Sequence, residues 1–168
     1  MKNHKLWPIF FLFVFLLNLP SCSTVSTVKS DGRYDYNRLI TSIQRGNIED
    51  VKACINAGVD VDRREKDSNN ALIVAAASNR LEIVRLLLAR GADVNVPGYN
   101  DMTALHYRVH AHHFLKEENL QEEIYESEEI MKLLLGNGAD IWQENKPGQS
   151  VIDLAEDDQE LIRFLKGE

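Results

Sequence analysis

The feature that most restricts this chain is a repeat. Gly58-Val59-Asp60-Val61, Gly91-Ala92-Asp93-Val94 and Gly138-Ala139-Asp140-Ile141 share one pattern; the first two stand 33 residues apart, and the third follows after 47, the same period with 14 residues added. The apolar stretches upstream, 48–55, 81–88 and 128–135, keep the same spacings. So do the segment starts Asn70-Ala71-Leu72-Ile73, Thr103-Ala104-Leu105-His106 and Ser150-Val151-Ile152-Asp153. A period of this size marks a stacked array, in which no unit buries its apolar face alone and the neighbours supply the core.

Within a unit the apolar spacing is helical. Leu72, Ala75 and Ala76 place small and aliphatic side chains on one face of a short first helix, where close helix packing needs them. Ile83, Leu86 and Leu87 recur at three- and four-residue spacing as the core stripe of a longer second helix. Gly91 follows Arg90, where a left-handed residue and a cation both suit a helix C-terminus. Cys54 fills the slot of Leu87 and Leu134 and reads as a buried small hydrophobe. The fold class that follows is all-α.

The period and the Thr103-Ala104-Leu105-His106 start resemble the ankyrin repeat, with its T-P-L-H-x-A signature. The resemblance implies a solenoid of about four repeats, each a helix-turn-helix with a β-turn finger, at roughly 34–66, 67–99, 100–146 and 147–168. Repeat two fits best. Repeat three has Arg108-Val109 where paired alanines are usual, and the degenerate first and last repeats suit capping units with one polar outer face. His106, the motif histidine, is implied to brace neighbouring repeats through backbone hydrogen bonds. Ankyrin domains bind proteins through their fingertips and first helices, and the fingertips map to 62–68, 95–102 and 142–148. Tyr99 and Trp142 are the large aromatic side chains there, a residue type typical of interface anchors; for Trp142, packing between the last two repeats is an equal alternative. Arg63 and Arg64 supply a basic spot, with Asp101 and Glu144 further along.

The 14 extra residues fall between the helices of repeat three, within 110–127, and hold no Pro or Gly. They are rich in good helix formers, and 14 residues make about four helical turns. Each helix of repeat three is therefore expected to gain about two turns, with a bend near Glu118 and Asn119, projecting on the side opposite the fingers. Leu120, Ile124, Ser127, Met131 and Leu134 form one face leading into the core stripe. Lys116 against Glu117, Glu118, Glu122, Glu123, Glu126, Glu128 and Glu129 gives the extension a net charge of −6. It is either a solvated acidic surface or a docking element, since insertions in repeats often carry function.

The N-terminus is an address. Lys2 and Lys5 precede fourteen largely apolar residues, 6–19, and Pro20-Ser21-Cys22 follows; this is the pattern of an exported signal peptide, and the run is short for a membrane-spanning helix of about 20 residues. Leu19-Pro20-Ser21-Cys22 resembles the lipobox of bacterial lipoproteins. That resemblance implies cleavage after residue 21, a diacylglycerol and usually an amide-linked fatty acid such as palmitate on Cys22, and membrane attachment worth about 0.8 kcal/mol per buried CH₂. Ser23 is not Asp, which favours the outer membrane by analogy. Residues 22–33 read as a Ser/Thr-rich tether.

Charge and composition exclude other functions. Beyond residue 21 the chain holds 17 Lys and Arg against 26 Asp and Glu, a poor composition for binding phosphate backbones, so no nucleic-acid partner is expected. Two cysteines are too few for a disulfide scaffold or a structural zinc site. His106, His110, His112 and His113 lack partner ligands at metal-binding spacing, and neither a metal nor a cofactor is expected. No nucleophile elbow, P-loop, H-E-x-x-H or dinucleotide fingerprint occurs, so no catalytic residues are assigned and an enzyme is not expected. The expected protein is a monomeric, lipid-anchored, periplasm-facing module that acts by stoichiometric binding. It is either a scaffold for an unidentified envelope protein or an immunity protein neutralising a periplasmically delivered toxin.

Overall fold

The computed structural model describes residues 35–64, 68–156 and 158–168. The expected signal peptide, Cys22 and the tether lie outside the described residues. Among the described residues eight α-helices follow one another in four pairs: α1 (Tyr36–Arg45) and α2 (Ile48–Asn56), α3 (Ala71–Ala77) and α4 (Leu81–Ala89), α5 (Ala104–Glu117) and α6 (Gln121–Gly136), α7 (Val151–Leu154) and α8 (Gln159–Lys166). Among the described residues there is no strand, and no helix is long and apolar enough to cross a membrane.

Local chemistry sets the boundaries. The side chains of Asp35, Asn47, Asn70, Ser150 and Asp158 each accept from a backbone N–H three residues on and so start a helix, satisfying a donor that the helix itself leaves unpaired. The repeated Gly-x-Asp motif ends the second helix of each full unit. Gly58, Gly91 and Gly138 adopt φ of 83°, 83° and 85°, a region open to glycine without steric cost. Two residues later Asp60, Asp93 and Asp140 accept from the backbone N–H of Asp62, Asn95 and Trp142 at 2.8–3.0 Å, the Asx turn that launches each finger.

The extension behaves as its length predicts. α5 has 14 residues against 7 in α3, and α6 has 16 against 9 in α4, so each helix gains seven residues, about two turns. The bend falls at Asn119, at φ 57°, and the equivalent turn of repeat two at Asn79, at φ 54°. Ile124 is half-buried and Ser127, Met131 and Leu134 are buried, whereas Leu120 remains 37 % exposed. The expected apolar face therefore begins one turn later than the spacing suggests, since nothing covers the tip.

One continuous core runs from first helix to last. Leu39, Leu72 and Leu105 fill equivalent slots in successive first helices, as do Ile43, Ala76 and Val109, and all are at most 1 % exposed. The second-helix stripe of repeat two is Ile83, Val84, Leu87 and Leu88. Leu86, expected in that stripe, is only half-buried, because the helix turns Val84 and Leu88 inward instead. Cys54 is fully buried, and burial raises its thiol pKa, as a small hydrophobe in that slot requires.

Candidate functional site

The fingers form a surface whose backbone is stitched from one repeat to the next. Asp62 Oδ1 accepts from the backbone N–H of Asp93 at 3.0 Å, and Asn95 Oδ1 accepts from that of Asp140 at 2.9 Å, the same bond one repeat later. Asn95 also donates from Nδ2 to the Gly138 carbonyl at 2.9 Å, and the Lys146 N–H donates to the Asn100 carbonyl at 2.9 Å. Asn69 is a further junction: its Oδ1 accepts from the Tyr99 backbone N–H at 2.9 Å, its Nδ2 donates to the Tyr107 hydroxyl at 3.1 Å, and its carbonyl accepts from the Tyr36 hydroxyl at 3.2 Å. Charge and hydrogen-bonding capacity along the fingers thus go largely into holding the fingers still.

On this frame Trp142 is 62 % exposed and Tyr99 49 %. Trp142 is therefore not packed between the last two repeats; only its backbone is tied, through the Asp140 Asx turn. Both aromatic side chains stand on fixed backbone, so holding them still adds little ordering cost when a partner docks.

The other finger residues expected to face a partner are placed differently. Arg64 Nη1 donates to the carbonyls of Pro97 at 2.6 Å and Gly98 at 3.3 Å in the next finger. The Arg63 guanidinium lies 5.4 Å from the Tyr36 ring centroid, a cation–π distance. Both remain exposed, but their charged ends face their own protein. Asp101 is half-buried in the left-handed region at φ 57°, and Glu144 is exposed. The structure brings Tyr99 and Asp101 together on one turn (Tyr99–Asp101) and Trp142 and Glu144 together on the following finger.

His106 does its bracing mainly inside its own repeat. Its Nδ1 accepts from the backbone N–H of Thr103 at 3.1 Å and lies 2.8 Å from the Thr103 hydroxyl, closing the start of α5. Its Nε2 has no hydrogen-bond partner. Burial lowers the His106 pKa, and hydrogen-bonding influence from the backbone of Gln149 and Gln143 in the next finger opposes part of the fall, so the ring also faces the neighbouring repeat. Among the described residues no group of three or more His, Cys, Asp or Glu could hold a metal ion.

Two kinds of residue escaped the sequence reading. Asp62, Asn69 and Asn95 carry the cross-finger bonds; Asp62 and Asn95 are 33 residues apart, a periodicity that would have marked them. Arg108 is the other case. It is 1 % exposed, and its Nη1 donates to the Ala76 carbonyl of the preceding repeat at 2.8 Å. Burial lowers its pKa to about 10, with Glu126 of the extension opposing the fall, so the guanidinium keeps its charge at neutral pH inside the stack. Its departure from the paired-alanine pattern was the available signal.

The family model described as ankyrin repeats (3 copies) matches residues 15–98 and 39–145. Protein phosphatase 1 regulatory subunit 12A of Mus musculus is 32% identical over 124 residues, which is 73% of this chain and 10% of that protein. Palmitoyltransferase AKR1 of Eremothecium gossypii is 50% identical over 58 residues, 33% of this chain and 8% of that protein. Among solved structures, the ankyrin repeat domain of Bcl-3, described as a member of the IkappaB protein family, superimposes with a TM-score of 0.62 at 26% identity over 77% of this chain and 50% of that one. The chain thus spans about a tenth of the first of these relatives, and the repeats are shared between a regulatory subunit and a transferase, so they follow no single chemistry. The stitched fingers, the exposed aromatic side chains and these matches lead to one conclusion: the chain belongs to the ankyrin-repeat family, whose repeats are protein–protein interaction modules.

Proposed function

We propose that this protein is a lipid-anchored binding module of the bacterial cell envelope that holds one protein partner on its finger surface by stoichiometric contact. The observation that carries the binding half is the exposure of Tyr99 and Trp142 on hydrogen-bonded fingers. Aromatic side chains of this kind are where interface energy concentrates. The anchoring half rests on the Leu19-Pro20-Ser21-Cys22 segment and the apolar run before it, with the outer membrane, facing the periplasm, as its destination. Lipidation at Cys22 would leave the finger surface on the aqueous side, with the Ser/Thr-rich stretch as spacer.

The test has two arms. Tyr99→Ala and Trp142→Ala, introduced separately in the tagged full chain, are expected to weaken capture of an envelope protein in pull-downs while leaving the melting temperature within about 2 °C of the parent, because neither side chain is core. A loss of stability without a loss of capture overturns the finger reading. For the anchor, Cys22→Ala is expected to abolish incorporation of labelled palmitate and to move the protein from the membrane to the soluble fraction.

A second reading, an immunity protein against a periplasmically delivered toxin, is favoured by the acid-rich extension, which offers a ready surface for a basic target. Protection of cells against the product of an adjacent effector gene separates it from a scaffold.

A further inference from the structure

The fingers are not the only surface shaped for a partner. A cleft of about 390 Å³ lies between the extension and the last helix. Ile124 of α6 with Leu161 and Phe164 of α8 form its apolar lining, and His112, Lys116, Gln121, Glu128 and Glu160 line the rest. The geometry follows from the repeat arithmetic. His112, Lys116 and Ile124 belong to the added turns of α5 and α6, whereas α8 has only 8 residues. The extension therefore outruns its neighbour and leaves one flank open.

Two independent observations indicate an occupant. His112 is 3 % exposed, and its Nδ1 has no hydrogen-bond partner, an arrangement that costs free energy unless a donor or acceptor arrives. The second is charge. Lys116 Nζ is held by Asp158 Oδ2 at 2.8 Å and lies 3.9 Å from Glu160 Oε2, and Lys132 Nζ, held by Glu129 Oε1 at 2.8 Å, lies 6.0 Å from the Phe164 ring centroid, so each ammonium at the cleft is already paired with a carboxylate while Glu128 stands in addition. Between residues 117 and 131 the chain has seven Glu and no Lys or Arg. An anion is repelled here, and a purely apolar ligand would strip water from Glu128 and Glu160 without compensation.

We infer that this cleft binds a segment of the protein partner in which a Lys or Arg stands beside aliphatic or aromatic side chains, a proposal that rests on the protein-binding reading above. The apolar part covers Ile124, Leu161 and Phe164, the cation meets Glu128 and Glu160, and a backbone amide or carbonyl of the segment reaches His112. Burial first, then Lys116 and His113, lower the His112 pKa to about 4, so at neutral pH the imidazole is uncharged and does not oppose the cation. A volume of this size lies at the lower end of ligand sites, about 300–1,000 Å³, enough for two or three side chains rather than a folded domain.

The probe is a fluorescein-labelled twelve-residue peptide of Leu and Lys at helical spacing, with the same peptide carrying Glu for Lys as its counterpart. Binding to the full chain is followed by fluorescence anisotropy. The Lys peptide is expected to bind at least about tenfold more tightly than the Glu peptide. Reversing Glu128→Lys with Glu160→Lys should cost at least about tenfold, and the milder Glu128→Gln with Glu160→Gln about threefold. Glu117→Lys with Glu118→Lys, the same change in net charge at the exposed bend, should cost less than about threefold. The His112 imidazole resonance should shift on binding. Equal weakening by the two reversals, the absence of binding by either peptide, or an unmoved His112 resonance overturns the proposal. Tyr99→Ala and Trp142→Ala are expected to leave peptide binding unchanged. If the cleft fails while those two variants still lose the envelope partner, the finger reading stands alone; if peptide binding depends on them instead, the partner segment belongs to the fingers.

Discussion

Where repeat two places Ala75, repeat three places Arg108, and both side chains are buried. The same column holds Ser42 in repeat one and Ala155 in repeat four, at 4 % and 0 % exposure. Three of the four positions are small, which lets neighbouring first helices approach closely. The fourth is the largest of the fully buried side chains among the described residues. Repeat two closes its core with methyl groups; repeat three closes it with a guanidinium bound to the Ala76 carbonyl near the end of α3, which also accepts from the Asn79 N–H of the following turn. The difference lies next to the other irregularity of repeat three. The added turns supply Glu126, which favours the charged form of Arg108 and accepts from Asn79 Nδ2, and they supply buried His112 and Ser127. The comparison teaches that polar groups enter this stack where one unit has been enlarged.

The largest effect expected of a single substitution tests whether that polar enlargement loosens the apolar spine. Leu87 and Leu134 fill the same slot in repeats two and three and are both fully buried. Leu87→Ala and Leu134→Ala are each expected to lower unfolding free energy by about 4 kcal/mol in urea denaturation, from lost transfer energy plus the cavity left behind. A cost at Leu134 less than half that at Leu87 would show that the core of repeat three relaxes around the gap, and that the two regions differ in rigidity as well as in composition.

Acid separates the regions next. Repeat two has no histidine between 67 and 99, whereas repeat three buries His106 and His112 and half-buries His110. Burial, with His113 and His106 nearby, lowers the His110 pKa to about 4, and burial, with Lys116 and His113, does the same for His112. Both groups stay neutral in the folded chain until about pH 4 and take up a proton near pH 6.5 when unfolded. Between those values the unfolded state binds more protons, so stability falls as pH falls. Going from pH 7 to pH 4.5 is expected to remove up to about 5 kcal/mol, read from urea midpoints at each pH. His110→Gln with His112→Gln should flatten most of the slope; an unchanged slope would move the pH sensitivity out of repeat three.

Arg108 sharpens the contrast directly. Arg108→Ala opens a cavity and takes one donor from the Ala76 carbonyl, which keeps the Asn79 N–H, at an expected cost of about 2 kcal/mol. Arg108→Met keeps most of the volume and removes a charge whose Nε and Nη2 are buried without partners. That replacement should fall within about 1 kcal/mol of the parent, on either side, because a buried charge is often no more stabilising than an apolar side chain of its size. If Met costs as much as Ala, the hydrogen bond to Ala76 matters more than the filling.

Much of this was legible in the chain because it is written at helical period and repeated. The helix pairs, the Gly-x-Asp turns and the two-turn lengthening all follow from apolar spacing, glycine at a left-handed position and the arithmetic of 33 and 47. Buried polar roles do not follow that rule. Arg108 reads as a surface residue until the neighbouring helix supplies a carbonyl, and Arg64 reads as free charge until the next finger brings Pro97 and Gly98 within reach. Leu86 edges the core rather than filling it, because a three-and-four spacing tolerates a rotation of one position. The cleft was unreadable for a similar reason, since it depends on α8 ending short of the added turns rather than on any residue within them.

The smallest effect concerns the short ion pair that Lys116 makes between the enlarged repeat and the last one. Lys116 joins α5 to Asp158, the N-cap of α8, at 2.8 Å, with Lys116 40 % and Asp158 19 % exposed at the side chain. A partly exposed pair is worth little because water solvates both ends and two long side chains lose freedom to meet. Lys116→Met is therefore expected to cost about 0.5 kcal/mol, and raising salt from 0.05 to 0.5 M should shrink even that difference. The link is still informative because Asp158 also caps α8 by accepting from the Leu161 N–H at 3.0 Å. Asp158→Ala removes the cap and the ion pair together and should cost about 1.5 kcal/mol. In the Lys116→Met background the same replacement should cost only about 1 kcal/mol, the cap alone. Strict additivity in that double-mutant cycle would mean that the Lys116–Asp158 pair adds nothing to this seam, which then rests on apolar contact and on His113, whose Nε2 lies 3.1 Å from the Leu154 carbonyl.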